Sequence, residues 1–387
     1  MNDFNENELS NTLSEQFPQN NDICYLNHAA VSPWPKVTAD AVTAFANENL
    51  TQGATHYPKW MKVEQSLRLL LKRLINADSV DEIALAKNTS EALSIIAYGI
   101  EWQDGDEVII SNQEFPSNRI VWESLAQFGV KLKIADFSGT NNITSIQRCI
   151  TSKTRLISIS SVQYSSGMKI DLVVLGKLCR ERQILFCIDA IQSLGALPFD
   201  QRRIQADFIV ADGHKWMMAA EGLALLYVKS SLQADLKLQQ FGWHMVEKKG
   251  LYDELNWEPA NNATRFECGS PNMLGIHALQ ASLEFLLKIG IDTIAVELNK
   301  RINHTIKLLS EINGVEFISP IENDERAGII CFKILRKDLA KLQSNLMKKG
   351  VICAYRGGGI RFSPHFYTPY KVLDKSVEIL KSLLVEE

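Results

Sequence analysis

Short apolar runs alternate with helical segments between about residues 80 and 230, and this alternation limits the possible folds more than any other feature. The β-rich runs include DEVIISN, KLKIADF, RLISISSVQ, ILFCIDA, DFIVAD and LALLYVK. Helical segments such as SEALSIIAYGI and LVVLGKLCRERQ lie between most of them. Apolar strands joined by helices are typical of a mostly parallel sheet with helices on both faces. The pattern therefore predicts an α/β domain.

The pattern changes after about residue 260. Two long helical segments are followed by the strands AGIICFKIL, VICAYR and GIRFSP, with the helix KDLAKLQSNLMKKG among them. This mixture predicts a smaller C-terminal α+β domain. We divide the chain into an N-terminal arm (residues 1–24), a large domain (25–265) and a small domain (266–387), although no flexible linker marks the second boundary.

Composition narrows the class of protein. The 387 residues include 41 basic and 45 acidic ones, a net charge of −4, which argues against a dedicated nucleic-acid-binding protein. The polar, acidic N-terminus lacks an apolar signal core, and no apolar stretch reaches membrane-spanning length. The sequence therefore predicts a soluble cytoplasmic protein with neither a nucleic-acid nor a membrane partner.

The cysteines and histidines form no ligand pattern. Seven cysteines occur without a CxxC pair, and the seven histidines are scattered. Cys187 in ILFCIDA and Cys331 in GIICFKI lie within apolar strand-like runs. We expect free, mostly buried thiols and no metal site.

A lysine stands between two apolar strand-like runs in ADGHKWMMAAEG. Lys215 follows DFIVA and precedes LALLYV. A hydrated ammonium group is unusual there, and two explanations are open. Lys215 is either a surface side chain at a strand end or an amine retained as a nucleophile.

Other features of the same domain favour the nucleophile. Asp189 ends the apolar run ILFCID, where a carboxylate is unfavourable unless it is paired. Thr89 and Ser90 lie in the first turn of a helix that begins KNTSEA, where free N–H groups and hydroxyls suit a phosphate. Gln163 or Tyr164 could face a ligand ring from a third strand end. A lysine, a buried acid and a phosphate cradle together suggest pyridoxal phosphate, although each feature alone has a structural explanation.

The order of motifs carries a resemblance over nearly the whole chain. The sequence resembles the class V aminotransferase family of pyridoxal-phosphate enzymes of fold type I. The motifs that carry the resemblance are, in chain order, YLNHAAVSP, TSEA, EFPSN, IDAIQS, DGHKW, RFECGSPN and GIRFSPHFYT. This family includes cysteine desulfurases, selenocysteine lyases, kynureninases, cyst(e)ine lyases and isopenicillin-N-epimerase-like proteins. The resemblance implies that the large domain binds the cofactor on its central, mostly parallel sheet.

The resemblance assigns cofactor contacts. It implies that Lys215 forms the Schiff base, that Asp189 pairs with the ring nitrogen and that Gln192 lies near the ring hydroxyl. Phe115, in EFPSN, would stack on the ring, where desulfurases usually have histidine. The phosphate contacts implied for this chain are those of Thr89, Ser90, Asp212 and His214.

Substrate and partner contacts follow from the same resemblance. Arg361 would bind the substrate α-carboxylate, and Arg356 would bind a second carboxylate or face water. His28 would line the substrate mouth, with a structural hydrogen bond as an equal alternative. Ser270 would touch the phosphate of a partner's cofactor, so that a homodimer shares its active sites.

One departure bears on the reaction. Desulfurases need a thiol on a loop before the carboxylate-binding arginine, and here only Cys353 is near, within the apolar run VICAY. We expect Cys353 to lie in the core. The predicted function is therefore transamination or C–S β-elimination on a small amino acid through a Cα carbanion. The alternatives are a desulfurase or selenocysteine lyase, an epimerase- or kynureninase-like enzyme, and a non-catalytic cofactor-binding regulator or scaffold.

Overall fold

A seven-stranded sheet forms the centre of the protein. The computed structural model describes residues 12–18, 20, 22–138 and 142–386. The strands of the sheet are β2 Ile83–Ala86, β3 Glu107–Ser111, β4 Lys131–Ala135, β5 Thr154–Ser160, β6 Leu185–Asp189, β7 Phe208–Asp212 and β8 Ala224–Val228. They run in the order β2-β8-β7-β6-β5-β3-β4. All neighbouring pairs are parallel except those of β8, which is antiparallel to both β2 and β7. The predicted mostly parallel sheet is confirmed.

Both faces of this sheet are covered. In β7 every residue is buried, and alternate side chains enter different clusters: Ile209 and Ala211 join one, while Phe208 and Val210 join the other. Successive strand residues point to opposite faces, so a strand that is apolar throughout requires two cores. The helices of this part are Lys36–Gln52, Tyr57–Ile75, Thr89–Gly99, Ser117–Glu123, Asn142–Cys149, Leu172–Arg182 and Gln201–Ile204.

The C-terminal part combines helices with a second sheet. Its antiparallel strands are β9 Val315–Phe317, β10 Ile330–Ile334, β12 Ala354–Arg356 and β13 Gly359–Phe362, in the order β12-β13-β10-β9. The helices are Met273–Ile289, Ile291–Ser310, Leu339–Lys348 and Tyr370–Glu386. The predicted strands and helices of this part are confirmed. The residue numbers that divide arm, large domain and small domain stay a prediction.

None of the helices in the described ranges is by itself long and apolar enough to cross a membrane. Met273–Ile289 and Ile291–Ser310 reach that length and composition only when taken together, and an 81° bend separates them.

The described part of the N-terminal arm packs on the C-terminal part. The ring of Phe17 stacks on Tyr367 with centroids 3.5 Å apart, and it meets Phe366 edge-on. β1 (Cys24–Tyr25) pairs in parallel with β11 (Val351–Ile352). Residues 1–11 of the predicted arm lie outside the described residues.

A buried arginine joins three segments of the chain. Arg68, on the helix Tyr57–Ile75, donates hydrogen bonds of 2.6 and 2.7 Å to the two carboxylate oxygens of Glu267, and it also bonds Glu64. Its guanidinium reaches the carbonyl of Ile83, and Glu267 accepts from the N–H of Leu85. Burial disfavours the charge of Arg68, but the two carboxylates outweigh this effect and raise its pKa above the ordinary value. The ion pairs therefore fix the segment that carries Glu267 against the edge strand β2.

The same cluster contains a set of possible metal ligands that spacing rules do not detect. Ligand atoms of Glu64, His244 and Glu267 lie within 4.8 Å of one another. These residues come from three separate segments, which explains why the sequence predicted no metal site. Arg68 already contacts both carboxylates and supplies the positive charge that a cation would otherwise provide.

We predict that Arg68→Met lowers the free energy of unfolding by about 3–5 kcal/mol, because two buried carboxylates lose their cation. Lys36→Met is the matched control, since it breaks the exposed ion pair with Asp40 and should cost at most about 1 kcal/mol. Urea unfolding followed by circular dichroism measures both values. Equal, small losses for the two variants would contradict a structural role for the buried cluster.

Candidate active site

A cavity of about 290 Å³ lies at the carboxyl ends of the strands and collects most of the predicted site residues. β6 ends at Asp189 and β7 at Asp212, so both carboxylates leave the sheet at the same edge. Tyr164 also lines the cavity, whereas Gln163 does not. The predicted residues that line it are Thr89, Ser90, Phe115, Asp189, Gln192, Asp212, His214, Lys215, Arg356 and Arg361.

Lys215 is a buried amine. Only 7% of the residue is exposed, which excludes a solvated surface lysine. Burial lowers the pKa of Lys215 to about 8, and the nearby charge of Arg361 acts in the same direction. The carboxylates of Asp189 and Asp212 oppose this shift without cancelling it. The neutral, nucleophilic form of the amine is therefore more abundant near physiological pH than it is in an ordinary lysine.

Asp189 is the buried acid at the end of β6. Its side chain accepts a 3.0 Å hydrogen bond from the N–H of Ile191. Burial raises the pKa of Asp189 to about 7, and Glu114 and Asp212 add to the rise, while Lys215 opposes it. A carboxylate at this depth is stable as an anion only beside a positive group. A protonated ring nitrogen is a group of that kind.

Glu114 supports this end of the site and was missed by sequence reasoning. Its carboxylate accepts hydrogen bonds from the N–H and hydroxyl of Ser160, from Asn118 at 2.9 Å and from Gln163 at 3.2 Å. The segment EFPSN was singled out only for its phenylalanine. The available signal was the carboxylate next to that phenylalanine, three residues after the apolar strand β3.

The N-terminus of the helix Thr89–Gly99 forms an anion cradle. Asn88 caps the helix by accepting from the N–H of Glu91 at 2.9 Å. The hydroxyl of Thr89 is buried and has no hydrogen-bond partner within the described chain, while Ser90 donates to Ser117 at 2.8 Å. An unsatisfied hydroxyl beside free helix N–H groups fits a phosphate. A phosphate group would satisfy this unpartnered hydroxyl, and for this reason the cavity fits pyridoxal phosphate.

The remaining cofactor positions form the walls. His214 Nδ1 lies 2.7 Å from the carboxylate of Asp212. The amide of Gln192 bonds the carbonyl of Ala29 at 3.0 Å and accepts from the indole of Trp216 at 2.8 Å, so its orientation is fixed. Phe115 is 39% exposed, and its ring centroid lies 5.4 Å from Lys215 Nζ. This leaves an apolar ring face available above the lysine.

Arg361 provides a buried cation in the same cavity as the lysine. It donates to the carbonyl of Tyr164 at 2.7 Å and to the side chain of Asn27 at 3.3 Å. Its Nε is buried without a hydrogen-bond partner among the described residues. Burial lowers the pKa of Arg361 to about 10, and the charge of Arg356 lowers it further. These groups hold the guanidinium in place and leave its charge available for an anion.

Two predicted residues lie outside the cavity. His28 is fully buried, and its ring bonds the carbonyl of Ser363 at 2.8 Å and the hydroxyl of Tyr367 at 2.7 Å. The predicted place of His28 at the substrate mouth is therefore corrected to the structural alternative, because both ring nitrogens are already used. Ser270 is exposed and does not line the cavity, and its contact with a partner's cofactor stays a prediction.

The thiols also lie elsewhere. Cys353 is 3% exposed, which confirms its predicted place in the core, and burial raises its pKa to about 12. None of the seven cysteines, all within the described residues, lines the cavity. The site therefore offers an amine but no thiol as a nucleophile.

This fold and these residues define an enzyme that depends on pyridoxal phosphate and has fold type I. The chain belongs to the class V aminotransferase family, whose model matches residues 24–364.

Similar proteins cover almost the whole chain. A probable cysteine desulfurase of Borreliella burgdorferi is 29% identical over 97% of this chain and 94% of its own length. One from Pyrococcus abyssi is 28% identical over 96% and 97%. The apo cysteine desulfurase of Thermococcus onnurineus superposes with a TM-score of 0.86 at 22% identity, covering 97% and 98% of the two chains. The cystine C-S lyase C-DES, solved with its product cysteine persulfide, gives 0.88 at 21% identity, covering 94% and 99%.

We predict that the rate at which the apoprotein captures pyridoxal phosphate rises with pH around a midpoint near 8, the lowered pKa of Lys215. Only the neutral amine would react with the aldehyde of the cofactor, and the lowered pKa makes this form available at lower pH than the ordinary pKa of 10.5 would. Stopped-flow absorption measures the rate. Arg361→Gln removes a neighbouring cation and should move the midpoint upward. A midpoint near the ordinary lysine value in both proteins would contradict the expected effect of burial.

Proposed function

We propose that the protein catalyses C–S β-elimination on a small sulfur-containing amino acid, releasing sulfide without a thiol of its own. The observation that carries the proposal is the buried, partly neutral Lys215, which shares one cavity with Asp189 and Arg361 and with no cysteine. Relatives named as cysteine desulfurases support a substrate with a carbon–sulfur bond. With cysteine as substrate and one water consumed, the products would be sulfide, ammonia and pyruvate.

Each residue would have a separate task in this reaction. When bound, pyridoxal phosphate supplies an electron-withdrawing ring that stabilises negative charge at the substrate Cα. Arg361 would bind the α-carboxylate with its forked guanidinium. Lys215 would take the Cα proton, since its neutral amine is a base of suitable strength. Asp189 would keep the ring nitrogen protonated through ionic pairing.

A separate group of cavity-lining residues would hold the phosphate. The open N-terminus of the helix, the hydroxyls of Thr89 and Ser90 and the ring of His214 would contact it, with Asp212 orienting the histidine. Phe115 would cover the ring by flat contact, without supplying a titratable group.

The chemistry of the thiols argues against a persulfide on this chain. Cys353 and Cys331 are buried, and burial raises the pKa of each to about 12. The turn between β12 and β13 consists of Gly357 and Gly358 alone, which leaves no loop to carry a thiol to the cavity. Desulfuration through Cys353 is the second candidate, which the names of the relatives favour. Transamination uses the same residues and would yield a keto acid without sulfide.

We also propose that the protein acts as a cytoplasmic homodimer with shared active sites. Ser270 is exposed three residues after Glu267, which Arg68 anchors, so the segment is fixed and its end is accessible to a second subunit. All seven cysteines are free thiols, as is usual in a reducing compartment.

We predict that Lys215→Ala abolishes the visible absorption band of the lysine-bound cofactor and lowers sulfide release at least about 10²–10⁴-fold, because the nucleophile and base are lost. Borohydride reduction of the wild type should label Lys215. Lys229→Ala is the matched control, since Lys229 is partly exposed, pairs with Asp207 and does not line the cavity. A wild-type protein that shows no band after addition of the cofactor would contradict the proposal.

We predict that Cys353→Ala keeps sulfide and pyruvate formation from cysteine within about twofold of the wild type, because a buried thiol of high pKa takes no part. Sulfide, pyruvate and alanine are quantified together. Formation of alanine and sulfane sulfur that disappears in Cys353→Ala would instead establish the desulfurase alternative.

A further inference from the structure

A series of hydrogen bonds links the C-terminal segment to a side chain of the cavity. The N–H of Phe366 donates to Nδ1 of His365 at 2.8 Å, and Nε2 of His365 lies 3.3 Å from the carbonyl oxygen of Trp216. The indole of Trp216 donates to the amide oxygen of Gln192 at 2.8 Å. The amide nitrogen of Gln192 donates to the carbonyl of Ala29 at 3.0 Å. The series ends at the cavity, because Gln192 and Ala29 both line it.

The chemistry of these groups sets the direction of each bond. A carbonyl can only accept, whereas an indole or backbone N–H can only donate. Burial holds the pKa of His365 well below its usual value, so the ring is neutral, and its Nδ1 accepts from Phe366. The ring proton of His365 is therefore on Nε2, which donates to Trp216. Gln192 has one orientation that satisfies both neighbours, with its oxygen toward the indole and its nitrogen toward the carbonyl.

The indole of Trp216 is held by residues of both parts of the chain. Trp216 is fully buried. A Cβ on Gly328, two residues before β10, would collide with the indole ring, and a Cβ on Gly195, after β6, would collide with the carbonyl of Trp216. The ring of His365 lies beside the indole, with centroids 5.1 Å apart. These contacts fix the indole N–H against the oxygen of Gln192.

Gln192 consequently presents a hydrogen-bond donor to the cavity. Its oxygen faces Trp216, which does not line the cavity, while its nitrogen faces Ala29, which does. One N–H of the amide bonds Ala29, and the other has no acceptor among the described residues. An amide that was free to turn could offer its oxygen instead.

We infer that Trp216 is a positioning residue that makes Gln192 a hydrogen-bond donor to the ring oxygen of pyridoxal phosphate. This inference rests on the proposed function for the binding of the cofactor to Lys215, and on the predicted place of Gln192 near the ring hydroxyl. A donor at this oxygen stabilises its negative charge. The proton on the lysine-bound cofactor is then lost at lower pH, because its loss leaves more negative charge beside the donor.

The test is a pH titration of the visible absorption band of the cofactor-loaded protein. Trp216→Phe keeps an apolar ring but removes the N–H, so the amide of Gln192 can turn its oxygen toward the cavity. The pH at which the band changes should rise by about 1–2 pH units, the size expected for one hydrogen bond to a charged group. Gln192→Leu should give a similar rise, because it removes the donor itself.

A double variant separates a positioning role from a purely structural one. If Trp216 acts through Gln192, Trp216→Phe should cause no further rise in the Gln192→Leu background. Trp60→Phe is the matched control, since this buried indole also donates to a side-chain oxygen, that of Glu48 at 3.3 Å. Neither Trp60 nor Glu48 lines the cavity, so the control should leave the transition unchanged.

The outcomes distinguish the inference from the proposed function. The inference is overturned by an unmoved transition in Trp216→Phe, by a full rise in the Gln192→Leu background or by an equal rise in Trp60→Phe. If Trp216→Phe does not fold, Gln192→Leu decides, since an unmoved transition there shows that the amide donates nothing to the ring oxygen.

The wild type tests the proposed function separately. A band with the expected shifts, but no sulfide released from cysteine, contradicts the proposed function and leaves the inference standing. A loaded protein without the band contradicts both.

Discussion

The site depends on the burial of an amine and a carboxylate at the ends of adjacent parallel strands. β6 and β7 pair in register, with Asp189 opposite Val210, and Lys215 follows β7 by three residues. Removal from water lowers the pKa of the amine to about 8 and raises that of the acid to about 7. Their mutual attraction opposes these shifts but does not cancel them. The sheet, with an apolar core on each face, holds both groups where solvent cannot restore their ordinary pKa values.

The other half of the site is brought in by distant segments. Arg361 comes from the C-terminal hairpin, Asn27 from a segment near the N-terminus and Tyr164 from the loop after β5. The guanidinium is held by neutral groups, so its charge stays available, and it also lowers the pKa of Lys215. The cation that we propose as the binder of the substrate carboxylate thus also keeps the neighbouring amine partly neutral. In the proposed function, substrate binding and amine chemistry would be linked through this one electrostatic interaction.

Features with a strong local signal in the sequence were predicted, whereas features that depend on distant contacts were missed or left open. The strands of the large sheet were predicted well where they are continuous β-branched or aromatic runs, but β2, with the sequence IALA at the sheet edge, was missed because alanine gives a weak strand signal. Asp189 and Lys215 were predicted as site residues because an isolated charge in an apolar run is unfavourable unless it has a partner or a chemical role. The alternatives for His28 stayed open because the sequence does not show where a ring nitrogen finds its partner. The Glu64–His244–Glu267 cluster was missed because its members are far apart in the chain.

The sequence by itself therefore determined the α/β class, the main elements and the residues whose chemistry conflicts with their apolar neighbours. These properties depend on local periodicity and on the free energy of burying single groups. Both can be judged from a short stretch of sequence. Only the tertiary structure decided that His28 is a structural residue, that Glu114 supports the acid end and that Arg356 shares a cavity with Arg361. Such outcomes depend on contacts between segments far apart in the chain. Register, turn geometry and packing fix these contacts, and no local pattern encodes them.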